Sequence, residues 1–238
     1  MRIGIIGFGK MGQEIKKLAI ERGHQVNLII DLENRNDLNP RNLKKVDIIF
    51  EFTTPAVAPD NIISCFDGGV SVVSGTTGWM DQFDEVADHC RHAKQAFFYA
   101  SNYSVGVNIL FSINRYLAAI MNRFPEYHVF IEEVHHLQKL DAPSGTAITL
   151  ANEMIPLLDQ KDRWEPAGEN SDQVIPIQSV RKNQVTGIHT VSYHSEFDTL
   201  EIRHSAKSRR GFAVGALMAA GFLIGKKGVF GMQDLMPF

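Results

Sequence analysis

A doubly wound α/β fold with a parallel sheet, joined to a second α+β domain carrying a mixed sheet, is the class this sequence predicts. Three observations carry that expectation. Five short apolar runs alternate with helix-patterned segments up to about residue 103. Those runs are continuous rather than alternating, and after Asn102 the pattern changes to longer runs of period two. Continuous apolar strands belong to sheets buried on both faces, and strand–helix alternation argues for βαβ units. Period-two runs joined by polar turns argue for a sheet with one exposed face.

Taken in order, Arg2–Ile6 is a strand ending in glycines, and Met11–Arg22 a helix with Met11, Ile15, Leu18 and Ala19 on one face, stopped by Gly23. Val26–Ile30 is a second strand, closed by Asp31, and Val46–Phe52 a third. Pro55 opens a helix to about Phe66, with Pro59 in its first turns. Val70–Ser74, a helix over Met80–His92, and Ala96–Ala100 complete this half. Val105–Met121 is then a long helix, Tyr127–His135 a strand, and Gly145–Leu158 a helix reached through the polar loop Lys139–Ser144. Val174–Arg181, Ile188–His194 and Leu200–Ala206 are strands, with turns at Lys182–Gly187 and Ser195–Thr199. Phe212–Ile224 is apolar nearly all round and is expected to be buried.

Composition narrows the function classes. The 238 residues suffice for one large or two small domains, and 44% hydrophobic with 21% charged residues is an ordinary globular balance. A formal net charge of −3 gives no broad attraction to nucleic acid or anionic membrane. Apolar runs such as Val46–Phe50 and Val214–Ile224 are too short to span a bilayer, and glycines and a lysine break the N-terminal run before it reads as a signal peptide. Cys65 and Cys90 lack any CxxC or metal-ligand spacing and read as buried side chains in a reducing compartment. A cytoplasmic protein with neither membrane nor nucleic-acid partner is expected.

Gly7-Phe8-Gly9-Lys10-Met11-Gly12 fits GxGxxG, after a strand and at the start of a helix. That context makes it a dinucleotide loop. Gly7 allows the tight turn, Gly9 lets pyrophosphate approach the backbone, and Gly12 lets helix pack on strand. The amides of the first helical turn then face the phosphates. Asp31, at the end of the second strand, is placed to accept both adenosine ribose hydroxyls, or it is a strand-end turn residue. Its carboxylate favours NADH; Arg35 nearby softens that preference, so NADH and NADPH both stay open. Gly75, Thr76 and Thr77 follow the fourth strand, and Ala100, Ser101, Asn102 and Tyr103 the fifth, where a ligand of an open α/β sheet lies. They suit a nicotinamide ribose and carboxamide, or are loop chemistry alone.

The segment from Glu132 to Ala147 gathers two imidazoles, an ammonium and a helix N-terminus. Ser144 is a natural N-cap, and Gly145 and Thr146 offer amides to an anion, with His135, His136 and Lys139 close in sequence. Those side chains can also donate protons, Lys139 most readily if desolvated. Against this, the histidines are equally read as hydrogen-bonded strand-end groups and Lys139 as solvated. No metal is expected, since HExxH and a third spaced ligand are absent. Arg209, after the last strand, either clamps a carboxylate or belongs to a solvated basic face.

Together these residues resemble the 4-hydroxy-tetrahydrodipicolinate reductase (dihydrodipicolinate reductase) family of bacterial and plant lysine biosynthesis, over essentially the whole chain. The strongest element is E-x-H-H-x-x-K-x-D-A-P-S-G-T-A, here Glu133 to Ala147; Gly75–Gly78, Asn102–Gly106 and the Ser208–Ala216 tail support it. The family often has Asp-Phe-Thr after the third strand, where Glu51-Phe52-Thr53 stands here, and a glycine loop longer by one residue. The resemblance implies a dinucleotide-binding domain over 1–103, a substrate-binding and oligomerisation domain over 104–209, and a segment 210–238 returning to the first domain. It implies a homotetramer and a cyclic imine dicarboxylate substrate reduced by NADH or NADPH with loss of water. It places His135 and Lys139 at the reaction centre, Lys139 as proton donor, with His136, Gly145 and Thr146 on the substrate carboxylates. Rival readings are a semialdehyde or homoserine dehydrogenase, the former needing a thiolate nucleophile, and an NAD(H)-binding regulator without turnover.

Overall fold

The computed structural model describes residues 1–168 and 171–237. The chain divides into two compact units, one formed by Met1–Val105 with Arg209–Phe238 and the other by Gly106–Ser208. In chain order the elements of the first part are β1 (Arg2–Ile6), α1 (Lys10–Glu21), β2 (Gln25–Ile30), α2 (Pro40–Leu43), β3 (Ile48–Glu51), α3 (Ala58–Asp67), β4 (Ser71–Ser74), α4 (Phe83–His92) and β5 (Ala96–Tyr99). There follow α5 (Val105–Met121), β6 (His128–His135), α6 (Gly145–Met154), β7 (Arg163–Pro166), β8 (Val174–Arg181), β9 (Ile188–His194) and β10 (Thr199–Ser205). The chain closes with α7 (Arg210–Leu223), β11 (Gly228–Phe230) and α8 (Met232–Leu235). Among the described residues no helix is long and apolar enough to cross a membrane.

In the first unit six parallel strands run in the order β11-β5-β4-β3-β1-β2. Successive side chains alternate between faces, so each strand feeds two cores. Ile3, Ile5, Phe50 and Phe98 pack with α1 and α7, while Ile6, Ile49, Val72 and Phe97 pack with α3 and α4. Burial on both faces is why these runs are apolar throughout. The C-terminal segment joins this sheet: α7 packs on the same face as α1, and β11 adds a parallel edge beside β5. Gly215 lies so close to the Tyr103 carbonyl that a Cβ there would come within 1.8 Å of it.

The second unit is a five-stranded mixed sheet, β10-β9-β6-β8-β7, with β9 antiparallel to β6 and β10, and β8 parallel to β6 and β7. Val129, Ile131, Ile177, Val191 and Tyr193 meet α5 and α6 in one core. The opposite face, with Phe130, Val134, Val180 and Ile188, is only half-buried.

Boundaries shifted where proline decides. α3 begins at Ala58 rather than Pro55. A start at Pro55 would put Pro59 where an amide must donate, whereas from Ala58 it falls in the first turn. α6 stops at Met154 and Ile155–Leu157 is a 3-10 turn, Pro156 lacking the amide that would continue the helix. The short edge strand β7 and the three-residue β11 carry no periodicity long enough to read.

Candidate active site

In the first unit the strand order reverses between β1 and β3, the place where a doubly wound sheet opens a crevice at its carboxyl ends. A cavity of about 250 Å³ lies there, lined among others by Gly7, Phe8, Gly9, Asp31, Arg35 and Thr53. Gly7 turns with φ +89°, and a Cβ on it would sit 2.1 Å from the Phe52 carbonyl oxygen. Gly12 passes the Gly7 carbonyl so closely that a Cβ would lie 2.3 Å from that oxygen. At Gly9 an added Cβ meets no atom of the described residues within 4 Å. Open space therefore fronts the first-turn amides of Lys10, Met11 and Gly12, whose helix has no side-chain cap. This cradle fits a dinucleotide pyrophosphate.

Asp31 caps the turn Leu32–Asp37. Its Oδ1 accepts from the Leu32 amide at 2.9 Å, and its own amide donates to Asn34 Oδ1 at 2.8 Å. The carboxylate is thereby held at the cavity, in the company of Arg35. Phe52, Thr53, Thr54, Val57 and Asn61 also line the cavity, a place the sequence reading did not give them. Their signal was available, since the strand beside β1 must flank the crevice.

The β4 and β5 loops sit at the same edge of the sheet. Glu51 is fully buried and ties β3 to the β4 loop. Its Oε2 accepts from Ser74 at 2.7 Å and its Oε1 from Thr76 at 3.0 Å and the Thr53 amide at 3.1 Å; the Thr53 hydroxyl also donates to it. Burial raises the Glu51 carboxyl above its ordinary range, against the pull of these donors. Gly75 sits over Phe52, and Thr77 and Ser101 are exposed. Asn102 Oδ1 accepts from the Ser104 amide at 2.9 Å. Ala100 and Tyr103 belong to the core, and the Tyr103 hydroxyl donates to the Ser74 carbonyl at 2.7 Å. The Tyr103 side chain thus serves packing.

In the second unit the reactive segment starts at the end of β6. Alternation along that strand buries Glu133 and His135 on the core face. His135 Nδ1 donates to Glu133 Oε2, which sets its tautomer and orientation. Arg181 donates to the other carboxylate oxygen at 2.9 Å. Burial alone would raise the Glu133 carboxyl, but hydrogen bonds from His135 and Arg181 hold it at about 2. The Lys139 ammonium meets both oxygens of Asp141 at 2.8 Å. His136 Nδ1 is buried and, among the described residues, has no hydrogen-bond partner.

Ser144 is the N-cap of α6, accepting from Ala147 N at 3.3 Å. Its hydroxyl also bonds His189 Nε2 at 3.0 Å and is buried. The hydroxyl is therefore spent on the helix end, while Gly145 stands exposed at the first turn and Thr146 follows it. Arg209 is exposed at the N-terminal boundary of α7, in the unit of the dinucleotide cavity rather than that of the reactive loop.

Three residues here were not singled out from the sequence: Arg181, His189 and Gly187. Strand pairing brings them in. His189 faces Glu133 across β9, and Arg181 faces His135 across β8. A Cβ at Gly187 would lie 3.0 Å from His135 Nε2, so glycine leaves that nitrogen uncrowded on this side. Glu133, His135 and His189 bring one ligand atom each within 4.8 Å of one another, a donor set that metals use. The Arg181 guanidinium already neutralises Glu133, and a cation there would have to displace it.

Burial, then the neighbouring His135, lowers His189 to about 3 from its ordinary 6.5. An unfolded chain binds that proton first, so this contribution to stability is complete above pH 6.5 and declines as pH falls toward 3. Glu133, depressed to about 2 from 4.5, loses its contribution between pH 4.5 and 2, in the same direction. Stability should fall on acidification from pH 7 to 5, by up to about 1.4 kcal/mol per pH unit for His189 alone. Urea midpoints at the two pH values read this, and His189→Gln should flatten the change; equal midpoints in the parent would contradict it.

A dinucleotide cradle on a doubly wound sheet, with a separate unit bearing a histidine–lysine loop, defines a nicotinamide-dependent oxidoreductase. Residues 1–103 match the model of dihydrodipicolinate reductase, N-terminus, and residues 106–236 that of dihydrodipicolinate reductase, C-terminus. The chain belongs to the dihydrodipicolinate reductase family. It is 44% identical to the 4-hydroxy-tetrahydrodipicolinate reductase of Christiangramia forsetii, over 99% of this chain and 98% of that one. Identity to the Neisseria meningitidis enzyme of the same name is 32%, covering 92% and 82%. The fold matches a dipicolinate-bound dihydrodipicolinate reductase from Paenisporosarcina sp. TG-14 with a TM-score of 0.78, at 24% identity and 99% coverage of both chains. An aspartate semialdehyde dehydrogenase from Vibrio cholerae shares the fold more distantly, with a TM-score of 0.52 at 11% identity, covering 94% of this chain and 98% of that one.

Proposed function

We propose that this chain reduces 4-hydroxy-tetrahydrodipicolinate to tetrahydrodipicolinate with loss of water, using NADH or NADPH, in the diaminopimelate route to lysine. The observation that carries this reading is the Glu133–His135 pair beside the Lys139 loop, ending at the α6 N-terminus. Bound at the β1–α1 cradle, the cofactor supplies hydride. His135 and Lys139 form the reaction centre. Glu133 keeps the Nδ1 proton of His135 in place, so Nε2 is the nitrogen turned to the substrate. Lys139 stabilises negative charge as it builds on the substrate ring and delivers the proton. His136, whose Nδ1 has no partner among the described residues, and the α6 end at Gly145–Thr146 hold the two substrate carboxylates. Ser144 shapes that helix end, and Arg209 remains a proposed carboxylate clamp.

Two features weigh against the rivals. Burial pushes the Cys90 thiol up to about 11 and Cys65 higher still, so neither is a ready thiolate nucleophile for semialdehyde chemistry. A regulator without turnover has no use for an oriented His135. The deciding measurement is NADH consumption with the product of a coupled synthase; absence of turnover with folded protein and both cofactors would overturn the assignment.

The cofactor contacts run over Gly7–Gly12, Asp31, Gly75–Thr77 and Ala100–Tyr103. Asp31 favours NADH, and Arg35 admits NADPH by meeting its 2′-phosphate. Arg35→Ala should then raise the KM for NADPH by about 10-fold or more, the worth of one charge-assisted bond, and leave that for NADH within about 3-fold. Equal effects on both cofactors would refute this role. The half-buried face of the β6–β10 sheet supports a homotetramer built through that sheet, which light scattering reads directly. Cytoplasmic location completes the reading, in keeping with two buried thiols that form no disulfide.

A further inference from the structure

We propose that Arg181 is a positioning residue for the reduction, bolting the loop that carries Lys139 to the buried carboxylate that orients His135. The inference rests on the reading of His135 and Lys139 as the reaction centre. It starts from the register of the sheet. Arg181 pairs with His135 across β8 and β6, and the next amide, of Lys182, donates to the His135 carbonyl at 2.8 Å. The backbone beneath Arg181 is therefore fixed to the strand that presents the imidazole.

From that base the guanidinium reaches in two directions. Nη1 donates to Glu133 Oε1 at 2.9 Å and to the Val180 carbonyl at 2.9 Å. Nη2 donates to the Asp141 carbonyl at 2.7 Å, and Nε to the Lys139 carbonyl at a longer 3.4 Å. One planar fork thus spans the carboxylate behind His135 and the main chain on both sides of Leu140. A lysine ammonium, being a point donor, cannot reproduce that span.

Among the described residues the loop has few other ties. Leu140 is 98% exposed and supplies no packing anchor. Asp141 is exposed, and its carboxylate holds the Lys139 ammonium rather than the body of the protein. Among the described residues, the other backbone bonds of this stretch are Lys139 N to the His136 carbonyl at 3.1 Å and Leu137 N to the Asn183 carbonyl at 3.2 Å, at and before the start of the 139–141 segment. Position of the Lys139 ammonium relative to His135 is therefore set through Arg181. A displacement on the order of 1 Å at a proton donor costs about 100-fold in rate.

The test is a double-mutant cycle in kcat, with Arg181→Lys and Lys139→Met. Arg181→Lys keeps a cation beside Glu133, so the buried carboxylate is not left unpaired and the fold is retained. It should lower kcat by about 10-fold or more, leave the NADH dissociation constant within about 2-fold, and show unchanged far-UV circular dichroism. In the Lys139→Met background the same substitution should change kcat by less than about 2-fold, because the group it positions has gone. An equal loss in both backgrounds would mean a general structural role and overturn the proposal, as would parental turnover in Arg181→Lys. Parental turnover in Lys139→Met would instead sink the reading of the reaction centre itself, so the two failures are distinguishable.

Discussion

Lys139→Met should lower kcat by about 10²–10⁴-fold, the range a positioned general acid supplies. Dinucleotide affinity should stay within about 3-fold, because the cradle is built from residues of the other unit. The size of the effect follows from what surrounds the side chain. Lys139 is not spread into solvent: its side chain is 22% exposed, and both Asp141 oxygens lie 2.8 Å from Nζ. Methionine keeps the length and much of the apolar stem while removing every donor. Loss of turnover with intact binding isolates the chemistry; a parallel loss of dinucleotide binding would point to a folding defect. Stopped-flow reduction with bound cofactor separates the two. A variant within about 3-fold of the parent would make Lys139 a surface residue and remove the proton donor from the scheme.

How much of this was legible depended on sequence distance. The glycine loop reads directly because each glycine answers a local demand: Gly7 a positive φ, Gly12 a main-chain contact five residues back. The same holds for the α6 cap, where Ser144 and Ala147 are neighbours in the chain. Arg181 and His189 were not legible, since their partners Glu133, Asp141 and Ser144 lie 40–48 positions away and only the β6–β8 and β6–β9 registers bring them together. Period-two patterning says which face a residue takes but not which residue it faces. The same limit explains Ser144: its cap role was visible, while its bond to His189 was not. Glu51 shows the reverse case. Its place at the end of the third strand was evident, yet its hold on Ser74 and Thr76 depends on β3 pairing with β4.

Gly7→Ala should destabilise the fold by about 3 kcal/mol or more and, in whatever folds, weaken dinucleotide binding by about 100-fold. Two costs combine. A Cβ at φ +89° is strained in itself, by about 1–2 kcal/mol. It would also lie 2.1 Å from the Phe52 carbonyl oxygen, a main-chain atom that cannot swing aside. The Phe52 amide is bonded to the Ile6 carbonyl at 2.9 Å and the Gly7 amide to the Ile30 carbonyl at 2.8 Å, so relief means prising β1 from its neighbours. Gly9→Ala is the companion measurement. Gly9 has φ −74°, which alanine adopts freely, and its Cβ meets no atom of the described residues within 4 Å. Its stability should therefore stay within about 0.5 kcal/mol of the parent, while the methyl group stands where the pyrophosphate must approach and affinity falls. Thermal unfolding with and without NADH reads both variants. If Gly9→Ala bound the dinucleotide as the parent does, the space before the α1 amides would not be the phosphate site, whatever Gly7→Ala had done to the fold.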